Sequence, residues 1–289
     1  MSFNRGVQKL ETGLKGKTVL LSGASGGIGS EIARYFTREG AKLILTYLDD
    51  ERGKAEIKLL EETLKDGRPP GEYITVVADL TVESEVDKIY KAGEDKYGRI
   101  DILVACAGVW SETRNVADRP LKEWNMAFKL NSTADFLLTR GFFRNLRKYK
   151  EDRAVVVYIG STAGMIGEAY HHDYAATKSA IIYGLAQSLR VEILDYARLG
   201  RVNVVCPGWC ATPITEEMLK DKQFVHEITS TIPLRKVATP KDIAAAVIYM
   251  ASDELSGHVT GGVLTVGGGM NGRLLHGELK PITEDLKPY

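Results

Sequence analysis

Seven short runs of contiguous apolar, β-branched-rich residues recur along the chain: KTVLLS at 17 to 22, KLILTY at 42 to 47, YITVVA at 73 to 78, ILVAC at 102 to 106, AVVVYI at 154 to 159, VNVVC at 202 to 206 and VLTV at 263 to 266. They are apolar at successive positions rather than alternate ones, which marks strands covered on both faces. Between them lie longer segments with apolar residues at helical spacing, such as GSEIARYFTREG, SEVDKIYKAGEDKYG and SAIIYGLAQSLRVEILDYARLG. Strands alternating with helices predict an α/β protein: a single-domain, doubly wound parallel sheet of about seven strands with helices on both faces. No repeat and no low-complexity tract interrupts it, and the expected break is the loop GRPPG at 67 to 71. The domain is expected to cover 15 to 271, between an N-terminal extension at 1 to 14 and a C-terminal tail at 272 to 289.

Composition narrows the function classes. The 289 residues are 44% hydrophobic, enough for a full core, and 38 basic residues balance 38 acidic ones. No global field recruits nucleic acid or an anionic membrane. The first residues, MSFNRGVQKLETGLKGK, lack the apolar stretch of a signal peptide, and no later run is long enough to span a bilayer, so a cytoplasmic protein is expected. Cys106, Cys206 and Cys210 form neither a disulfide framework nor a zinc spacing and read as reduced thiols.

The first strand runs directly into SGASGGIGSEIARYF. Gly23, Gly27 and Gly29 sit where the chain must turn sharply, admit a pyrophosphate to bare backbone and pack a helix against the sheet. The helix that follows offers unpaired amides to that anion. Placed inside a strand–helix–strand unit, this turn predicts dinucleotide binding on a Rossmann-like sheet.

The ordered set of motifs resembles the short-chain dehydrogenase/reductase family. Ser22-Gly23-x-x-x-Gly27-Ile28-Gly29 is similar to its TGxxxGIG turn, Tyr174-x-x-x-Lys178 to its active-site YxxxK, and Ser161 in IGSTAG falls at its serine, thirteen residues before Tyr174. Asn131 in KLNSTADF matches the family asparagine, Asp79 in VADLT the adenine-side aspartate, and Pro207-Gly208 with Thr212 the strand end beside the nicotinamide. The likeness spans 17 to about 270 and is nearest the 3-oxoacyl reductase, glucose dehydrogenase and aldehyde reductase group, through YLDDERGKAE and DYAATKSAI. Two segments depart: the family NNAG is Ala105-Cys106-Ala107-Gly108 here, and its VDGG is Val266-Gly267-Gly268-Gly269.

The resemblance implies an NAD(P)-dependent oxidoreductase that interconverts a ketone or aldehyde and an alcohol, with Asn131, Ser161, Tyr174 and Lys178 as its catalytic set. It implies cofactor contacts from Gly23, Ser25, Gly26, Gly27, Ile28, Gly29, Tyr47, Asp49, Asp79, Leu80, Ala107, Gly108, Pro207, Gly208 and Thr212, besides Tyr174 and Lys178. It also implies a homotetramer in which Ile181, Ile182, Leu185 and Leu189 supply both core and interface faces.

The residues themselves account for the chemistry. A helix that begins near Tyr174 puts Lys178 one turn on and on the same face. An ammonium there favours the phenolate and makes the tyrosine a usable acid and base. Ser161 would hold the substrate oxygen and Asn131 would help position the proton path to Lys178, and the family resemblance implies that Lys178 also holds the nicotinamide ribose. Tyr170 has no lysine partner and reads as a pocket wall. His171 and His172 are adjacent, with no third ligand at metal spacing, and no metal is expected. A hydrolase elbow around Ser161 fails, because the flanking positions are Ile159 and Ala163 instead of glycine. A non-catalytic nucleotide-sensing or scaffold protein on the same fold is the alternative.

The substrate is less legible. Loops at 109 to 114, 164 to 173 and 209 to 233 should form the mouth, the last as an amphipathic lid, with Trp110, Met165, Tyr170, Trp209 and Met218 as partly apolar walls and Arg114 as an available cation. Where relatives discriminate the cofactor by a strand-end aspartate or arginine, this chain has Tyr47 and Leu48, and Gly26 at the other common basic site. Asp49 and Asp50 follow and would repel a 2′-phosphate unless Arg52 or Lys54 folds back. The expectation is a modest preference for NAD(H) with measurable use of NADP(H).

Overall fold

The computed structural model describes residues 10–66 and 71–270. The expected C-terminal tail, most of the N-terminal extension and most of the GRPPG loop lie outside the described residues.

The seven runs form seven strands: β1 (Thr18–Leu21), β2 (Lys42–Tyr47), β3 (Glu72–Val77), β4 (Ile102–Ala105), β5 (Val155–Ile159), β6 (Arg201–Pro207) and β7 (Val263–Val266). They make one all-parallel sheet in the order β3-β2-β1-β4-β5-β6-β7. The helices are α1 (Gly27–Arg38), α2 (Glu51–Lys65), α3 (Glu83–Tyr97), α4 (Leu121–Phe128), α5 (Ala134–Tyr149), α6 (Ala163–Ile166), α7 (His172–Ser179), α8 (Ala186–Glu192), α9 (Lys222–Ser230), α10 (Pro240–Ala251) and α11 (Asp253–Ser256). Among the described residues no helix is long and apolar enough to cross a membrane.

Strand side chains alternate between two cores, as a period of two requires. Val19, Leu21, Leu43, Leu45, Val104 and Val157 pack beneath α1, α2 and α10, with Ile32, Phe36, Leu60 and Val247. Leu20, Ile44, Leu103, Val156 and Val204 face the other way, against Ile89, Leu138, Phe142 and Ile182 of the α3, α5 and α7–α8 layer. Both faces are therefore dry, and contiguous apolar runs were needed to build them.

Strand order reverses between β1 and its neighbours β2 and β4, so the loops leaving β1 and β4 part there and open a crevice. The turn after β1 is packed to its backbone. Gly23 has φ +67°, and a Cβ on it would stand 2.8 Å from the Ala107 Cα; a Cβ on Gly29 would stand 2.1 Å from the Gly23 oxygen. No side chain fits between β1, α1 and the end of β4.

Two long helices are irregular in the same way. α4 runs into α5 through a π-helical turn, Lys129–Thr133, and α7 into α8 through another, Ala180–Leu185. Such turns insert one residue into the ladder and re-aim the side chains around it.

The four apolar positions expected to serve core and interface serve the core here. Ile181, Ile182 and Leu189 are buried in this chain's own core, and Leu185 packs against it. The outward face carries Tyr183, Val191 and Leu194 instead.

Candidate active site

A cleft of about 770 Å³ lies along the carboxyl ends of the strands, from the β2 and β3 ends, across the β1–β4 crevice, to the β6 end. Its floor is the glycine turn. α1 begins at Gly26 with no side chain capping it, so the amides of its first turn are left for a ligand at a positive dipole end. A Cβ on Gly27 would meet Pro213 at 2.8 Å and Thr212 at 3.1 Å, which closes the strip to anything but backbone. Ser22 ties the end of β1 to the segment that stands in place of NNAG: its Oγ accepts from the Cys106 and Ala107 amides at 3.0 and 3.1 Å.

At the β4–β6 end four polar side chains converge on the crevice. Asn131 is wholly buried in the first π-helical turn. Its Oδ1 accepts from the Val109 amide at 2.8 Å, and its Nδ2 donates to the Val109 carbonyl at 3.0 Å and to Thr177 Oγ1 at 3.3 Å. It thereby ties the strand 4 loop to α7. Lys178 is buried, and its Nζ donates to the Ile159 carbonyl at 2.8 Å and stands 5.8 Å from the Tyr174 ring centroid. Ser161 follows β5, its Oγ accepting from the Ala163 amide at 3.1 Å. A Cβ on Gly108 would come within 3.1 Å of Asn131 Oδ1 and 3.5 Å of Lys178 Nζ, so a glycine keeps that approach open.

Tyr174 is fixed from two sides. Trp110 packs edge-on to its ring at 4.7 Å, and its amide donates to Asp173 Oδ1 at 2.9 Å. The Asp173 carboxylate, fully buried, also accepts from Ser111 Oγ at 2.7 Å and faces Arg119 at 3.6 Å. Arg119, itself only 3% exposed, pairs with Glu123 at 2.9 Å and donates to the Tyr170 carbonyl at 3.1 Å. This ionic knot joins the loop after β4 to the loop before α7. The sequence held one hint of it, an aspartate directly before Tyr174; nothing pointed to Arg119, which meets Asp173 only through the fold.

Tyr174, Lys178 and Ser161 line the cleft together with Gly23, Ser25, Gly26, Gly27, Ile28, Gly29, Tyr47, Asp79, Leu80, Ala107, Gly108, Pro207, Gly208 and Thr212; Asn131 stands behind its wall. Asp49 does not line it. Asp50 Oδ1 caps α2 by accepting from the Gly53 amide at 2.6 Å, and Asp49 is turned out to an ion pair with Lys54 at 2.9 Å. Asp50 and Arg52 reach the cleft in its place, and Arg52 makes no ion pair or hydrogen bond among the described residues.

At the substrate end Trp110, Trp209 and Met218 line the cleft as expected, with Met126, Leu130, Ile214 and Glu168 beside them. Met165 and Tyr170 are exposed outside it, and Arg114 is held by Glu112 and Glu123. His171 packs tilted against Trp110, ring centroids 4.1 Å apart, and burial holds its imidazole below the ordinary range, which favours the neutral ring. His172 lies against Trp124. No group of three metal-ligating side chains exists among the described residues. Burial raises all three thiols, Cys206 to about 11 and Cys106 and Cys210 to about 12, so none is a ready nucleophile near neutrality.

Residues 23–271 match a family model described as enoyl-(acyl carrier protein) reductase. The chain is 34% identical over 260 residues to 3beta-hydroxysteroid dehydrogenase 1 of Eggerthella lenta, covering 89% of this chain and 94% of that protein. It is 32% identical over 259 residues to a 3-oxoacyl-(acyl-carrier-protein) reductase of Synechocystis sp., covering 90% and 98%. A solved structure of a short-chain type dehydrogenase/reductase from Mycobacterium ulcerans superposes with a TM-score of 0.81 over 90% of this chain and 91% of that one, at 23% identity, a likeness of fold.

One further carboxylate lies beside Lys178. Asp135, in the first turn of α5 two residues after the π-helical turn, is 1% exposed, and neither of its carboxylate oxygens has a hydrogen-bond partner among the described residues. Burial pushes its carboxyl up to about 7, against the opposing pull of the Lys178 ammonium. A raised folded value means that the native state holds a proton which the unfolded chain has lost by about pH 4. Stability conferred by that proton falls as pH rises from about 4 through 7, and above 7 the full penalty of a buried anion is present. Asp135→Asn removes the titration, so its urea midpoint should gain on wild type between pH 5 and pH 8. An offset equal at both pH values would show that this carboxyl does not titrate in that window.

Proposed function

The chain belongs to the short-chain dehydrogenase/reductase family and is an oxidoreductase, and from that premise we propose that it interconverts a ketone or aldehyde and an alcohol with NAD(P)(H). The observation that carries this reading is the meeting of Tyr174, Lys178 and Ser161 at one end of a cleft whose middle is the uncapped glycine turn. The names of the two relatives, a hydroxysteroid dehydrogenase and a 3-oxoacyl reductase, support an alcohol–ketone pair.

The residues present fit the cofactor. The α1 amides and the bare strip at Gly26 and Gly27 suit a pyrophosphate, Asp79 and Leu80 the adenine side, and Lys178 the nicotinamide ribose. When bound, the nicotinamide supplies or accepts the hydride. The substrate oxygen sits between Ser161 Oγ and the Tyr174 hydroxyl. In the reducing direction the Tyr174 proton passes to that oxygen as it gains charge; in the oxidising direction Tyr174 takes the proton from the alcohol. The Lys178 ammonium stabilises the phenolate left behind. Asn131 acts by holding Val109 and Thr177, and so fixes the wall along which Lys178 regains contact with solvent protons. The segment 209 to 233, which contains α9 and Trp209, closes over the substrate as a lid, with Trp209 packed edge-on against Phe224 at 5.2 Å.

At the ribose end two charges compete. Asp50 favours a free 2′-hydroxyl, and the unpaired Arg52 can meet a 2′-phosphate. The reading is a modest preference for NAD(H) with real use of NADP(H). A second copy docks on the exposed apolar positions Phe136, Tyr183 and Val191 of the α5 and α7–α8 faces, and a homotetramer follows if both faces pair.

Tyr174→Phe should lower kcat by about a hundredfold or more while cofactor Kd stays nearly unchanged, because only the proton carrier is lost. Retention of more than about a tenth of kcat would point to another acid. Arg52→Ala should depress kcat/KM for NADP(H) about tenfold and spare NAD(H); equal losses for both would remove Arg52 from cofactor discrimination. Light scattering at micromolar concentration should give a species larger than a monomer, and a strict monomer would dispose of the assembly.

A further inference from the structure

The substrate end of the cleft contains one carboxylate; besides it, Tyr174 and Lys178, the ionisable side chains there are the Cys106 and Cys210 thiols, whose proton affinity burial raises. The acidic and basic residues at the other end, Asp50, Arg52 and Asp79, follow β2 and β3 and belong to the nucleotide side. Glu168 lies in the loop between Ser161 and Tyr174, lines the same cleft as both, and is half-buried.

That loop holds its shape by its backbone. Gly167 has φ +81° and Tyr170 φ +67°, the second being a conformation that a tyrosine adopts only where its surroundings impose it. The Tyr170 carbonyl is gripped by the Arg114 amide at 3.1 Å and by Arg119 at 3.1 Å, and the Glu168 carbonyl accepts from the His171 amide at 3.2 Å. Glu168 is therefore a positioned side chain. Its carboxylate nevertheless makes no hydrogen bond or ion pair among the described residues, and burial alone raises its proton affinity. A carboxylate that is partly desolvated and holds nothing in the protein is free to receive a donor from outside it. Trp110 and Trp209, with ring centroids 5.9 Å apart, line the same end of the cleft and offer apolar faces to a ring or a cation.

Resting on the oxidoreductase reading above, we propose that Glu168 is the specificity-determining residue of this site and selects an alcohol or carbonyl compound that carries a second hydrogen-bond donor, a hydroxyl or an ammonium, and no anionic group. A purely apolar substrate leaves the carboxylate desolvated and unpaired, and a site that loses such a bond discriminates far more strongly than one that loses a methylene contact. A substrate anion meets like charge at short range in a partly dry cleft. A hydroxyl and an ammonium both satisfy the carboxylate, and they differ in whether its charge matters.

Binding of four matched ring alcohols separates these cases: cyclohexanol, its vicinal diol, its vicinal amino alcohol and its vicinal hydroxy acid, titrated calorimetrically into the Tyr174→Phe chain loaded with the reduced cofactor, which has no hydride acceptor for an alcohol. The diol or the amino alcohol should bind at least about tenfold more tightly than cyclohexanol, and the hydroxy acid more weakly than either. Adding Glu168→Leu should erase that advantage, whereas Glu168→Gln should keep it for the diol and lose it for the amino alcohol. A parent chain that binds all four alike, tightly or not at all, overturns the proposal, and so does a ratio that survives Glu168→Leu. Because binding is read without turnover, an inactive wild-type enzyme that still discriminates the four probes would sink the oxidoreductase reading alone, and an active one without discrimination would sink this one alone.

Discussion

The burial of the Lys178 ammonium is the constraint around which this end of the molecule is arranged. A charged amine removed from water is costly unless a fixed dipole or counter-charge replaces its hydration. Here the Ile159 carbonyl at 2.8 Å supplies the dipole, at the place where β5 ends and its last carbonyl has no strand partner beyond it. Lys178 reaches it from the last turn of α7, directly before the π-helical turn Ala180–Leu185 through which that helix runs into α8. Asn131 sits in a matching turn on the preceding helix and bonds to α7 through Thr177. The two irregular helical turns thus serve one requirement.

The same requirement explains Asp135. Its carboxylate lies unpaired in the field of Lys178, in surroundings otherwise occupied by apolar side chains and the buried Tyr158. A core optimised for stability would place an apolar residue there. Keeping an acid shifts charge toward the buried ammonium at the expense of the folded state above neutral pH, a trade found where the environment of an active group matters more than packing.

The strands and the glycine turn were legible in the sequence because each rests on a local rule. A strand dry on both faces must be apolar at successive positions, and a turn that admits no Cβ must be glycine. Tyr174 and Lys178 were picked out by their resemblance to a family motif, and helical spacing then put them on one face. The misses have a common cause in register and distance. Asp49 and Asp50 are adjacent acids, and only the cap that Asp50 gives to α2 decides which of them faces the cleft. Arg119 and Asp173 are far apart in sequence and meet only when the loop after β4 folds over α7.

These differences divide the cleft into two materials. Its nucleotide half is largely backbone: first-turn amides of α1, the strip at Gly26 and Gly27, and the Gly23 turn against Ala107, with no room for a Cβ at Gly23, Gly27 or Gly29. Its substrate half is made of side chains, Trp110, Trp209, Met218 and Glu168, carried on loops whose backbone is held elsewhere, by Arg119 and by positive-φ turns. A backbone site constrains the sequence to glycine and so announces itself as a motif. A side-chain site on anchored loops can change residue without disturbing the fold, which is why the reaction class could be read from residues 17 to about 270 while the substrate had to be sought in the chemistry of single positions such as Glu168.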